Sequence, residues 1–358
     1  MRAVVLVGGV GTRLQPLTLA TPKQMLPVGE MTMIERVLSH LARHGVDAAV
    51  LSMGYRPDVF LTAFPDDRCA GVSLSYAIEG TPLDTGGAIG FAAREADVDD
   101  TFLVVNGDVL TDLDIGTLVA FHRRRRAEAT ISLTPVRDPS AFGVVVTDGD
   151  GKVESFIEKP APGTAPTNLI NAGTYVLEPT VLDRIPGTEP LSIERQVFPE
   201  LAEAGTLYAM ASNDYWIDAG TPAAYLRANL DLLSGLRRTA PNPHAREIRP
   251  GVWTIGHPLL GSGVAERTLV GDAAYVRSGS RVRDSVVGAG ARVESATVTG
   301  SVVLPGAVVH PGAVVESSIV GAAAVIGHGA RVTGLSVIGD GMKIEPDARL
   351  DSCLHPAP

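Results

Sequence analysis

The sequence has little that would serve a polyanion, a membrane or an oxidising compartment. It holds only two cysteines, Cys69 and Cys353, far apart and without metal-ligand spacing. Neither a disulfide framework nor a zinc site is therefore expected, and a reducing compartment suits the chain better. Positive charge is in deficit, with 30 Lys and Arg against 40 Asp and Glu and a formal charge of −10. That balance disfavours nucleic acid and acidic membrane surfaces. No apolar run reaches the ~18 residues of a spanning helix. The apolar start Ala3 to Val7 breaks at Gly8-Gly9, too short for a signal segment, so a cytoplasmic protein is expected. Aromatics are scarce at 5%, yet 45% of the 358 residues are apolar and 20% charged. Disorder, collagen and coiled coil are excluded, and a length of roughly 150 residues per domain implies about two domains.

Residues 1–235 alternate short β-branched runs with amphipathic stretches, the pattern of an α/β fold with a mostly parallel sheet. Arg2 to Val7, Ala48 to Ser52, Ser73 to Ile78 and Thr101 to Asn106 are expected strands, and Met33 to Arg43 an expected helix. Residues 236–263, rich in Pro, Arg, Asn and His near their start, have the composition of a linker. From residue 264 to 358 aliphatic positions recur every six residues, as in Val303, Val309, Val315 and in Val320, Ile326, Val332 and in Ile338, Ile344, Leu350. The triplets begin at Leu269, Val286, Val302, Ile319 and Val337, spaced 17, 16, 17 and 18 residues apart. Three hexads per coil is the pattern of a parallel β-helix, in which each aliphatic residue stacks on the one below.

Directly after the first strand comes Gly8-Gly9-Val10-Gly11-Thr12-Arg13-Leu14, with Pro22-Lys23 further on. Glycines after a strand let backbone N–H groups surround phosphate oxygens, and Arg13 and Lys23 add positive charge. Leu14 stands where a dinucleotide loop needs its third glycine, and no Gly-Lys-Ser/Thr follows for a P-loop.

This stretch, continued by Thr21-Pro-Lys-Gln-Met-Leu-Pro-Val28, closely resembles the opening of the sugar-1-phosphate nucleotidyltransferases, the pyrophosphorylases that make NDP-sugars. The resemblance extends through Pro82-Leu-Asp-Thr-Gly-Gly-Ala-Ile89, Asn106-Gly-Asp108, Phe142-Gly-Val-Val145, Phe156-Ile-Glu-Lys-Pro160, Asn171-Ala-Gly173 and Tyr215-Trp-Ile-Asp-Ala-Gly-Thr-Pro222. With Leu191-Ser-Ile-Glu-Arg-Gln-Val-Phe-Pro199, it is most similar to the mannose-1-phosphate guanylyltransferase branch, which carries a C-terminal left-handed β-helix. The fold so implied is a Rossmann-like, mostly parallel nucleotidyltransferase domain followed by a hexapeptide-repeat left-handed parallel β-helix.

The reaction implied is in-line attack of a sugar 1-phosphate on the α-phosphorus of a nucleoside triphosphate, with loss of pyrophosphate. Such catalysis rests on orientation and charge stabilisation. By resemblance, Arg13 and Lys23 are catalytic, and Leu6, Gly8, Gly9, Gly11, Thr12, Arg13, Glu79, Pro82, Thr85, Gly86 and Asp108 bind the nucleotide. Gly143, Glu158, Lys159 and Asn171 take the sugar phosphate, and Asp108 and Asp218 ligate Mg²⁺. Lysine usage points the same way: only Lys23, Lys152, Lys159 and Lys343 are present against 26 arginines, and two of the four fall in the matched motifs.

Glu79 favours GTP, because a carboxylate offers two acceptors to the N1–H and N2–H₂ edge of guanine. Gln24 is more like the thymidylyl branch. Mannose 1-phosphate is the acceptor implied by the branch; a cyclitol phosphate such as valienol 1-phosphate, or thymidylyl transfer to glucose 1-phosphate, stays open. Asp84 in place of the usual glycine, and Glu30-Met31-Thr32 in place of Asn-Lys-Pro, could mark a specialised pocket.

Other readings are weaker. Asp112-Leu113-Asp114 offers the D-x-D of a glycosyltransferase, but acidic residues there also suit a helix start. His310 or His328 could serve an acyltransferase, but both suit coil corners. A noncatalytic regulatory relative would not need Arg13, Lys23, Asp108 and Asp218 intact, and Arg123 to Arg126 fits a solvated helix end. A homo-oligomer with β-helix contacts is expected.

Overall fold

The computed structural model describes residues 1–186, 188–264 and 267–357. They form two compact units, one of Met1–Val10 with Ile34–Trp216, the other of Gly11–Met33 with the chain from Ile217 onward.

The first unit is built on a mixed sheet. Its parallel part contains β1 (Arg2–Leu6), β2 (Ala48–Met53), β3 (Val72–Ile78) and β4 (Phe102–Asn106), in the order β4-β1-β2-β3. Val4, Val5, Leu103 and Val104 are fully buried, as expected of parallel strands covered on both faces. The remainder is β5 (Ala129–Pro135), β6 (Gly143–Thr147), β7 (Val153–Glu158), β8 (Leu169–Leu177) and β9 (Leu207–Ala211). Here β8 runs antiparallel to β4, and β6 and β7 continue the edge beyond β8. The chain moves outward from β1 through β2 and β3, then crosses back to β4 on the other side of β1. Leu6 pairs with both Ser52 and Asn106, so the carboxyl ends of β2, β1 and β4 are level at this reversal. Ligands enter open α/β sheets at such a place. Helix α1 (Met33–Arg43) buries Ile34, Leu38 and Leu41. Helix α2 (Asp84–Glu95) packs on β1 and β2, and α3 (Ile115–Arg125) starts at Asp114, whose carboxylate accepts from Thr117 N at 3.0 Å. The Asp112-Leu-Asp114 run is therefore a helix start. The arginines at the other end of α3 are solvated: Arg125 pairs with Asp150 at 3.0 Å and lies over the Phe121 ring.

In the second unit three parallel ladders stack as the hexads predict. Val303, Val320 and Ile338 form one interior column, Val309, Ile326 and Ile344 a second, and Val315, Val332 and Leu350 a third. The stack opens with Val252–Thr254 and Leu259–Leu260, which already pair with Thr268–Val270 and Tyr275–Val276. Each aliphatic pair is preceded by a buried hydroxyl residue, Thr268, Ser285, Ser301, Ser318 or Ser336. These serines are satisfied along the stack: Ser301 N donates to Ser285 Oγ at 3.2 Å, and Ser318 N to Ser301 Oγ at 3.1 Å. A buried hydroxyl is cheap only when paired in this way.

The outward members of these pairs, Leu269, Val286, Val302, Ile319 and Val337, are also buried, at 2% exposure or less. Val286 is covered within the same unit. Helix α4 (Pro222–Leu233), capped by Thr221, packs on Ser285–Val287. The segment Gly11–Met33 is tied in by hydrogen bonds. Tyr225 Oη donates to Pro27 O, Gly29 N to Asn229 Oδ1 at 2.9 Å, Asn242 Nδ2 to Gly29 O at 3.1 Å, and Ala289 N to Glu30 Oε2 at 2.7 Å. Burial holds the Glu30 carboxyl above the usual glutamate range, partly offset by its bond from Ala289.

A folded-state value above the unfolded one means that the charged form costs stability above it, and that this cost fades as pH falls toward the ordinary glutamate range. Glu30→Gln keeps an acceptor for Ala289 N and removes the charge. Its melting temperature is expected to exceed the parent's by about 1–3 °C near pH 8. The gap should close as pH approaches the carboxylate range in calorimetric scans; a gap independent of pH would contradict this account.

Candidate active site

In the first unit a cleft of ≈ 240 Å³ opens at the carboxyl ends of β1 and β2 and the start of α2. Leu6, Gly8, Gly9, Ser52, Glu79, Pro82, Leu83, Asp84, Thr85 and Ala88 line it. The structure thus gathers six of the residues expected to hold a nucleotide, Leu6, Gly8, Gly9, Glu79, Pro82 and Thr85. Ser52 is a lining residue that the sequence did not single out. Glu79 is held from both sides: Ser52 Oγ donates to Oε1 at 2.9 Å and Leu83 N to Oε2 at 3.1 Å. Each oxygen keeps a second lone pair. Gly86 is buried and is not part of the cleft lining, its N–H donating to Leu191 O at 2.7 Å. The Thr85 hydroxyl donates to Glu194 and accepts from Ile193 N, so Thr85 faces the cleft with its remaining atoms.

Asp84, at the rim, has φ of +56°. This is the left-handed region that glycine enters freely and that Asp tolerates better than most residues. The departure from glycine is therefore allowed by the backbone, and it adds a carboxylate to the cleft. Asp84→Val should lower stability by about 1–2 kcal/mol and Asp84→Gly should not; equal melting temperatures for the two variants would refute the backbone argument.

Asp108 follows β4 and is nearly buried, at 8% exposure, while Gly107 N donates to Leu6 O at 3.0 Å and so ties this turn to the end of β1.

The residues expected to take the acceptor lie on β6, β7 and β8. Gly143 is paired with Glu158 across the antiparallel ladder. A Cβ on Gly143 would come within 2.6 Å of the Phe156 ring and 2.9 Å of Glu158 Oε2, so glycine lets the Glu158 carboxylate lie against the backbone. Lys159 has φ of +49°, its N–H donates to Phe142 O at 3.0 Å, and its ammonium is 3.7 Å from Glu158 Oε1. Asn171 uses both ends of its amide: Nδ2 donates to Tyr175 Oη at 2.8 Å and Oδ1 accepts from Gly173 N at 2.9 Å.

The second unit carries Gly11, Thr12, Arg13, Lys23 and Asp218. Gly11 has φ of +73°, and a Cβ there would come within 3.2 Å of Lys23 Cβ and Thr18 Cγ2. Thr18 Oγ1 donates to Gly11 O at 2.7 Å. Leu14, in place of a third glycine, is fully buried and anchors the short helical turn Thr12–Leu14. Arg13 stays 62% exposed, its guanidinium 3.8 Å from Asp218 Oδ2, while Gly220 N donates to Asp218 Oδ1 at 2.8 Å. Gln24 is buried at 1% exposure. Glu30 is engaged as well, its Oε2 accepting from Ala289 N in a tie to the β-helix.

Among the described residues no three His, Cys, Asp or Glu side chains cluster as metal ligands. Asp108 and Asp218 are hard oxygen donors of the kind Mg²⁺ uses, one or two carboxylates completed by substrate phosphates and water. His310 is engaged with Glu294, Nδ1 to Oε2 at 3.1 Å, as a coil-corner residue. Both cysteines are free, and no helix among the described residues is long and apolar enough to cross a membrane.

A cleft at the strand reversal, a glycine-arginine loop after β1 and a stacked β-helix define a nucleotidyltransferase with a β-helical C-terminal region. The chain belongs to the nucleotidyl transferase family, whose model matches residues 2–235, and residues 264–355 match the GMPPB C-terminal domain. It is 41% identical over 306 residues to a mannose-1-phosphate guanylyltransferase of Mycobacterium tuberculosis, covering 83% of this chain and 82% of the relative. It is 35% identical over 317 residues to mannose-1-phosphate guanylyltransferase 1 of Arabidopsis thaliana, covering 85% and 86%. Among solved structures, HddC from Yersinia pseudotuberculosis complexed with GMP-PN matches with a TM-score of 0.55 and 30% identity, covering 64% of this chain and 97% of that one.

Proposed function

We propose that the chain is a guanylyltransferase that joins GTP to mannose 1-phosphate, releasing pyrophosphate and forming GDP-mannose. The observation that carries the choice of base is Glu79, a carboxylate held by Ser52 and Leu83 on the wall of the cleft with lone pairs to spare for guanine N1–H and N2–H₂. The guanylyltransferase relatives support the same choice of base and acceptor.

In this reading Leu6, Gly8, Gly9, Pro82, Thr85 and Gly86 shape the nucleotide cleft. Gly11, Thr12, Arg13 and Lys23 serve the triphosphate, and Arg13 and Lys23 stabilise charge on the departing pyrophosphate. Lys159 holds the phosphate of the acceptor, Glu158 and Asn171 receive its hydroxyls, and Gly143 leaves room beside them. A phosphate oxygen of mannose 1-phosphate forms the new bond to the GTP α-phosphorus as the bond to the bridging oxygen of pyrophosphate breaks. Asp108 and Asp218 would hold Mg²⁺, which supplies charge neutralisation at the phosphates when bound. Copies assemble through the β-helix, whose first and last coils expose Leu259 and Leu354.

The test is pyrophosphate formation across nucleoside triphosphates paired with sugar and cyclitol 1-phosphates. GTP with mannose 1-phosphate is expected to give the highest kcat/KM. Higher turnover with dTTP and glucose 1-phosphate, or with valienol 1-phosphate, would replace the assignment. Nucleotide binding with no turnover on any pair would reject an enzyme.

A further inference from the structure

One carboxylate that the catalytic reading leaves without a role connects the nucleotide side of the first unit to its acceptor side. Glu194 lies in the helical turn Ile193–Val197, beside the start of α2. Its Oε2 accepts from Thr85 Oγ1 at 2.5 Å and Ser192 Oγ at 2.9 Å; its Oε1 faces Tyr175 Oη at 3.5 Å. Thr85 lines the nucleotide cleft, and Tyr175 Oη accepts from Asn171 Nδ2. We propose that Glu194 is a positioning residue that orients, through a single charge, the Thr85 hydroxyl on the nucleotide side and the Asn171 amide on the acceptor side. The proposal rests on Asn171 receiving the sugar phosphate as assigned above.

The physical reason is the one-way character of an ionised carboxylate, which only accepts hydrogen bonds. Facing it, the phenol of Tyr175 turns its single proton toward Glu194 and leaves only lone pairs for Asn171. The Asn171 side chain must then present Nδ2 to Tyr175, and Gly173 N fixes Oδ1 at the other end. Both ends of the amide are thereby assigned. The spare N–H and the spare lone pair of Asn171 are held in fixed directions for a ligand. Thr85 obeys the same logic. Ile193 N donates to its oxygen, so its own proton has to go to Glu194. Tyr175 is 1% exposed, and burial together with the nearby Glu194 charge holds its phenol well above the usual tyrosine range, so that it stays a donor.

An amide at position 194 breaks this rule, because its NH₂ can donate to Tyr175 and release the phenol to donate toward Asn171. Glu194→Gln is therefore expected to raise KM for mannose 1-phosphate about tenfold, the worth of roughly one hydrogen bond to a polar ligand, with kcat changed less. Tyr175→Phe removes the relay itself and should give the same rise. The double variant should be no worse than the worse single one, since both cut the same path. Initial-rate kinetics with GTP saturating read all three, and melting temperatures identify the folded variants. A parental KM in either folded single variant, or fully additive losses in the double, overturns the proposal. Asn171→Ala separates the two levels: if it too leaves KM unchanged, the acceptor assignment has failed, whereas a raised KM there with parental values in the other two rejects Glu194 alone.

Discussion

Replacing Arg13 with alanine is expected to lower kcat/KM for pyrophosphate release by about 10²–10³, the size seen when one preorganised group facing transition-state charge is removed. Melting temperature should hardly move. The Arg13 side chain is 62% exposed, and the Asp218 carboxylate is 3.8 Å away; exposed pairs of this kind contribute at most about 1 kcal/mol. The guanidinium is therefore available to a ligand without being needed by the fold. Arg13→Lys should recover part of the loss, because charge is retained while the planar fork is not. Steady-state kinetics with a thermal scan decide it. A variant that melts like the parent and turns over within threefold of it removes Arg13 from catalysis.

The neighbourhood of Arg13 shows which parts of this fold are legible in sequence. The β-helix is legible because its signal is one-dimensional: an aliphatic residue every sixth position stacks on its counterpart one coil on, as Val303, Val320 and Ile338 do. The β1 and β4 runs are legible because strands buried on both faces are continuously apolar. The hydroxyl column of Ser285, Ser301 and Ser318 was equally periodic in sequence, and attention to the residue before each aliphatic pair would have found it. The first coil, Val252–Thr254 with Leu259–Leu260, was hidden because Trp253 and the Gly256 and Pro258 interruptions break the Val and Ile pattern.

Pairings distant along the chain leave no such mark. Nothing local announces that Gly29 is held by Asn229 and Asn242, or that Glu30 meets Ala289, because each bond spans about 200 residues or more. The consequence is functional. The loop bearing Arg13 and Lys23 belongs to the same compact unit as the β-helix, so the coils have work inside a single chain as well as any part in assembly. Glu194 escaped for a related reason: its partners Thr85 and Tyr175 come from two other elements, and only the folded chain shows that one carboxylate serves both.

Glu79→Gln is expected to reduce the ratio of kcat/KM for GTP over dTTP by about 10- to 100-fold, the range that one bidentate base contact supplies. The argument follows from the two donors that hold the side chain. Leu83 N is a fixed backbone donor and accepts nothing, so a glutamine must turn its carbonyl oxygen toward Leu83. Its NH₂ then faces Ser52 Oγ. That hydroxyl can accept it, because its own proton has an alternative partner in Ala88 O at 3.3 Å. The variant is thus accommodated with its internal hydrogen bonds intact and a melting temperature near the parent's. What changes is the edge offered to a base. The parent presents two acceptors, matching the adjacent N1–H and N2–H₂ of guanine, whereas the variant presents one acceptor and one donor, as the N3–H and neighbouring carbonyl of thymine require. Competition assays with both triphosphates measure the ratio directly. If selectivity is unchanged in a stably folded variant, base recognition lies elsewhere in the cleft, and Glu79 is left as the residue that ties Ser52 to the turn before α2.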